Sequence, residues 1–172
     1  HYACSQKHSP PPPTDFIGLG ISPDHGDHNE VADLTEELGV QKLLLRVPSW
    51  HVSELDYYLD FAARFKGRDL LINILQSRQS VLDPAHWLDA VDQIITAFYP
   101  LTKTFQIGNA VNRSKWGCRH TGEYLELLKG LSDLRKSRPG LVLGGSSVID
   151  FEPLATLRTL SNGHRYQLDA CT

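Results

Sequence analysis

Apolar residues fall along the chain in two alternating rhythms. Short apolar stretches at residues 16–21, 42–47, 69–75, 103–107 and 140–145 read as strands, that at 42–47 as one buried on both faces and that at 103–107 with Phe105 and Ile107 on one face. The run Leu43-Leu44-Leu45 is the clearest of these. Between the runs the period lengthens to that of a helix. Val31, Leu34 and Leu38 form one stripe, ended by Gly39. Leu55, Tyr58, Leu59, Ala62 and Phe65 form a second, with Ser53 as the expected cap and Gly67 as the stop. Asp83-Pro84 opens a third helix, whose buried stripe is Leu88, Val91, Ile94, Ile95 and Phe98. Thr121 is the expected cap of a fourth, carrying Leu125, Leu128, Leu131 and Leu134 inward. A short helix to about residue 160 follows Asp150-Phe151-Glu152-Pro153, and residues 166–171 read as a sixth strand.

Strand and helix alternate with short connections, which predicts a parallel α/β fold with right-handed crossovers. In such a fold chemistry gathers just past the C-terminal ends of the strands. Polar residues stand there in each case. After 42–47 come Pro48, Ser49 and Trp50, with Arg46 just before them. A charge near a buried strand end needs a partner, so Arg46 is expected either in a structural ion pair or beside a ligand. Trp50 suits the apolar face of a sugar ring, or ordinary loop packing. Gln76, Ser77, Arg78 and Gln79 end the third strand, as hydroxyl contacts or as solvated loop.

The fourth strand ends in Gly108-Asn109-Ala110-Val111-Asn112. The loop that follows carries Arg113, Lys115 and Trp116. It suits a charged sugar, or a lid that packs Trp116 inward. The glycine patterns that cradle phosphates are absent around Gly144-Gly145-Ser146-Ser147. Asp150 and Glu152 are expected to serve the next helix N-terminus before any chemistry. Asp24-His25-Gly26-Asp27-His28 reads as a loop at the mouth of a site, with Asp27 or Asn29 capping the next helix, in preference to a metal centre. No metal or cofactor is expected.

Composition narrows the classes. The 172 residues carry a net charge of -3 with no long charged block, which argues against a nucleic-acid partner. No apolar run is long enough to span a bilayer. Cys4, Cys118 and Cys171 are far apart and odd in number, so they are expected as free thiols. The four prolines at 10–13 mark residues 1–15 as an extended tail or linker, leaving 16–172 as one domain.

The segment Phe105-Gln106-Ile107-Gly108-Asn109-Ala110, with Arg46-Val47-Pro48, resembles the clan A glycoside hydrolases, which are (β/α)8 barrels. In that clan the fourth strand ends in Asn followed by a Glu general acid/base, and an Arg on the second strand lies beside the nucleophile. The resemblance implies a carbohydrate ligand. It puts Arg46, Trp50, Gln76, Asn109, Asn112 and Trp116 at the sugar. It makes Asn109 and Ala110 the catalytic pair, with Ala110 standing where the acid/base belongs. A complete barrel has eight strands in about 250 residues. The six strands read here predict an incomplete barrel without the seventh-strand nucleophile, paired with a missing C-terminal half or with itself.

Three functions follow: a hydrolase disabled at Ala110, a pseudo-hydrolase that binds glycans, or a barrel lyase or isomerase using Asp24, His25 or Asp150.

Overall fold

The computed structural model describes residues 17–24, 26–150 and 152–169. The proline-rich tail, Cys4, His25 and Cys171 lie outside the described residues. Five strands make one all-parallel sheet: β1 (Gly18–Ile21), β2 (Lys42–Pro48), β3 (Asp69–Leu75), β4 (Thr104–Ile107) and β5 (Val142–Gly144). Among the described residues seven α-helices accompany them: α1 (His28–Glu37), α2 (Leu55–Ala62), α3 (Arg78–Leu82), α4 (Pro84–Phe98), α5 (Thr121–Leu127), α6 (Leu131–Leu134) and α7 (Pro153–Gly163). The parallel α/β reading therefore holds.

The strands lie side by side in chain order, β1-β2-β3-β4-β5. A sheet that advances in one direction through crossovers of one hand keeps all its connecting helices on one face. Burial follows that rule. Ile21, Leu45, Ile72, Phe105 and Leu143 share one row across the sheet, and all are buried. They form a single core with Tyr58, Phe61, Trp87, Ile94 and Phe98 from the helices. The neighbouring residues on the strands point to the other face. There Gly20, Leu44, Leu71, Thr104 and Val142 form a row that is exposed or half-buried. The next row is Arg46, Asn73, Gln106 and Gly144. Asn73, Gln106 and Gly144 in that row are buried, whereas Arg46 is exposed, and β1 and β5 are both edge strands.

Four local expectations are corrected. Residues 166–169 form no strand. His164–Tyr166 is a 3-10 turn, and Gln167 takes a left-handed φ of 56° that turns the chain away from an extended path. One residue does reach the sheet. The Asp169 N–H donates to Leu143 O at 2.8 Å, and the Asp169 carboxylate accepts from Leu143 N–H at 2.7 Å. Asp169 thus satisfies both edge groups of Leu143.

The inward face of α1 is Val31, Ala32 and Thr35, whereas Leu34 and Leu38 are 51% and 65% exposed. Thr35 is tolerated inside because its hydroxyl donates to Val31 O at 2.7 Å. Ser53 lies inside a 3-10 turn, Ser49–Glu54, and caps nothing. Thr121 is the first residue of α5, and its cap is His120. Asp27 does cap α1, accepting from Asn29 N–H and Glu30 N–H, and Asp83 caps α4 through His86 N–H.

Candidate functional site

The polar residues past β3, β4 and β5 are built into one bonded cluster. Gly108 follows β4 with φ 84°, and a Cβ there would stand 3.0 Å from the Tyr124 ring. A side chain would therefore crowd the Tyr124 ring, and the left-handed backbone also favours glycine. The Gly108 N–H continues the β3 ladder by donating to Ile74 O at 2.9 Å. Its carbonyl accepts from Asn73 Nδ2 at 2.8 Å. Tyr124 is fully buried; its hydroxyl donates to Ile107 O at 2.8 Å and accepts from Ser146 N–H at 2.7 Å. It therefore joins the ends of β4 and β5. The sequence signal for this role was one tyrosine among the leucines of α5.

Gln76, read from sequence as a ligand contact or solvated loop, is fully buried. Its Oε1 accepts from Asn109 N–H at 2.7 Å, and its Nε2 donates to Asn109 O at 2.8 Å. Gln76 positions Asn109 and does not line a ligand surface. Asn109 itself is 7% exposed, and its own carboxamide makes no hydrogen bond among the described residues. Ala110 is fully buried with φ 45°, in the left-handed region, and its carbonyl accepts from Arg113 N–H at 2.9 Å. The chain turns sharply here around a methyl group.

Asn112 is engaged with the β5 loop. Its Nδ2 donates to Ile149 O at 2.6 Å, and its Oδ1 accepts from Ile149 N–H at 2.9 Å. Arg113 pairs with Asp150 beside it. One of the two loop cations is thus neutralised within the protein. Lys115 lies 5.7 Å from the centre of the Trp116 ring. Trp116 is half-buried, and its indole N–H is buried with no partner among the described residues.

Arg78 fastens the loop: it donates to both Glu123 oxygens at 2.8 Å and to Gly117 O at 3.0 Å. The Arg119 N–H, and after it the Arg78 guanidinium, hold the Glu123 carboxyl below its ordinary value. Cys118 is a free thiol buried in the core, and burial pushes it up to about 11.

Past β1 and β2 lies a set of rings. Trp50 is 50% exposed and packs edge-on against His51, with centroids 6.0 Å apart. His51 Nδ1 lies 2.7 Å from the hydroxyl of the fully buried Tyr58. Tyr57 donates to Pro23 O at 2.8 Å, and His28 Nε2 lies 3.1 Å from the same carbonyl. Asp24 accepts from the Ser22 hydroxyl at 3.0 Å. His51 and Tyr58 were not singled out from the sequence, where Tyr58 counts simply as one more core position.

Arg46 departs from expectation. It lies two residues before the end of β2 and is exposed, so burial imposes no partner on it. It makes no ion pair or side-chain hydrogen bond among the described residues. It borders a concavity of about 700 Å³ that runs over the strand starts at Lys42, Asp69 and Thr104, at the far end of the sheet from Asn109. The structure thus brings Gln76, Asn109, Ala110 and Asn112 together, sets Trp50 on the neighbouring strand end, and holds Trp116 half-buried in the loop after β4. Among the described residues no helix is long and apolar enough to cross a membrane.

No protein-family model matches the chain. A search of curated proteins likewise finds no match.

Proposed function

We propose that this chain is a carbohydrate-binding domain built on the first strands of a (β/α)8 barrel of the clan A glycoside hydrolase type, and that it holds a glycan without cleaving it. The observation that carries the reading is the end of β4. Asn109 offers an unpartnered carboxamide, while the next residue, where such hydrolases keep their acid/base, is a buried methyl in a tight left-handed turn. A carboxamide can both donate to and accept from sugar hydroxyls. A methyl group can do neither, and protonating a leaving group needs an acid.

The strand order supports the barrel part of the reading, since parallel strands lying side by side in chain order are what an opened barrel would present. Other chemistry at this end of the sheet finds less support. Asp150 is already paired with Arg113, and Asp24 bonds Ser22.

The test combines binding and turnover on the whole chain. A glycan array identifies a ligand, and calorimetry then compares wild type with Asn109→Ala, which is expected to weaken binding by about threefold to tenfold. Neither wild type nor Ala110→Glu is expected to release nitrophenol from aryl glycosides. Turnover by either protein overturns the non-cleaving part of the proposal. No binding to any glycan overturns the whole of it.

A further inference from the structure

Four rings stand in a row after β2: Trp50, His51, Tyr58 and Tyr57, with neighbouring centroids 6.0, 6.0 and 5.6 Å apart. The two ends of the row are open, Trp50 at 50% and Tyr57 at 42% exposure. The middle is anchored, because Tyr58 is fully buried.

That anchoring fixes a proton. Tyr58 O–H is shut off from water, and its one hydrogen-bond partner among the described residues is His51 Nδ1. A buried hydroxyl must place its proton on an acceptor. Burial first, and then the nearby Asp24 and Glu54 charges, push the Tyr58 phenol up to about 12, so it keeps that proton. In the neutral imidazole, therefore, Nδ1 accepts and Nε2 carries the hydrogen. The His51 side chain is 32% exposed, and Nε2 makes no hydrogen bond among the described residues. Next to the half-exposed Trp50, whose ring meets the imidazole edge-on with centroids 6.0 Å apart, there is thus a hydrogen-bond donor of fixed sense.

We infer that Trp50 and His51 form a saccharide subsite at the C-terminal end of β2, in which a pyranose ring stacks on Trp50 and one of its hydroxyl oxygens accepts from His51 Nε2–H. Tyr58 is a positioning residue that sets the imidazole tautomer. An aromatic plane matches the C–H face of a pyranose, and a single directional donor beside it selects among ring hydroxyls. The inference rests on the carbohydrate reading and adds a second contact region to it, on a different strand end from Asn109.

The experiment uses the whole chain and the strongest saccharide found on the glycan array. Trp50→Ala and His51→Phe are each expected to weaken binding about threefold to tenfold. His51→Gln, which retains an N–H donor, is expected to recover part of the loss. Nitrogen-15 spectra of the unliganded protein should show the Nε2–H tautomer of His51, and Tyr58→Phe should shift it toward a mixture.

Unchanged affinity in both Trp50→Ala and His51→Phe, with loss in Asn109→Ala, overturns the subsite and leaves the parent reading standing. Loss in the Trp50 and His51 variants with none in Asn109→Ala upholds the subsite and removes the role given to Asn109. An Nδ1–H tautomer in the wild type, or no saccharide bound at all, overturns the inference.

Discussion

The Gln76 carboxamide and the Asn109 peptide meet as a closed pair: Asn109 N–H donates to Oε1 at 2.7 Å, and Nε2 donates to Asn109 O at 2.8 Å. One side chain thereby supplies both hydrogen bonds that a continuation of β3 would otherwise give to this segment. Replacing it strands two buried backbone groups. Gln76→Leu is expected to lower stability by roughly 1–3 kcal/mol for each group left unsatisfied. Urea unfolding followed by circular dichroism reads the loss. Glycan affinity should fall with it, because Asn109 loses its support.

Gly117 ties the β4–α5 loop to the loop after β3. Its φ is 98°, and a Cβ there would overlap the Ser77 carbonyl carbon and oxygen. Gly117→Ala is expected to cost about 1–3 kcal/mol from the backbone conformation alone, before the overlap is relieved. Because the Gly117 carbonyl also receives Arg78, the Arg78–Glu123 pair should loosen. Amide exchange over residues 113–123 should accelerate more than exchange in α4.

Acid should weaken the fold through two carboxylates. Glu123 is held below its ordinary 4.5 by the Arg119 N–H first and then by Arg78. Asp169 is held below its ordinary 3.8 by Arg135 first and also by the Leu143 N–H. A carboxyl whose value drops on folding favours the native state when ionised. That contribution is complete above the unfolded value and is lost as pH falls through the lower native value. Urea midpoints should therefore decline as pH drops below about 4.5. The double variant Glu123→Gln, Asp169→Asn should show a shallower decline. An equal slope would count against these two groups.

Cys118 should be chemically silent in the native protein. The thiol is buried, and its pKa of about 11 leaves very little thiolate at pH 8. Iodoacetamide at that pH should label Cys118 only after denaturant is added, as peptide mapping by mass spectrometry would reveal.

Strands β2 and β3 were readable from the short apolar runs Leu43-Leu44-Leu45 and Leu70-Leu71-Ile72, β4 from the alternation of Phe105 and Ile107 with polar residues, and α4 because Asp83-Pro84 starts it. The failures have definite causes. At Tyr166–Asp169 the composition suits a strand, but the left-handed Gln167 and the Arg135–Asp169 pair decide the local path. In α1 the leucine spacing is helical, yet Leu34 and Leu38 lie on its outer side.

At the candidate site, sequence located Asn109 and Asn112 at a strand end. It did not reveal that Gln76 and Asn112 are spent on backbone groups, since an amide that binds a ligand and one that binds a loop are the same residue. The His51–Tyr58 pair went unread because a core tyrosine gives no outward sign of its hydroxyl's partner.

The side-by-side strand order bears on how the protein comes to be folded. Among the described residues every strand pairs with the one synthesised just before or just after it. Chain closure then involves loops of modest size, which keeps the entropic barrier to each new strand low. The sheet can lengthen one strand–helix unit at a time as the chain leaves the ribosome, each unit finding its template already in place.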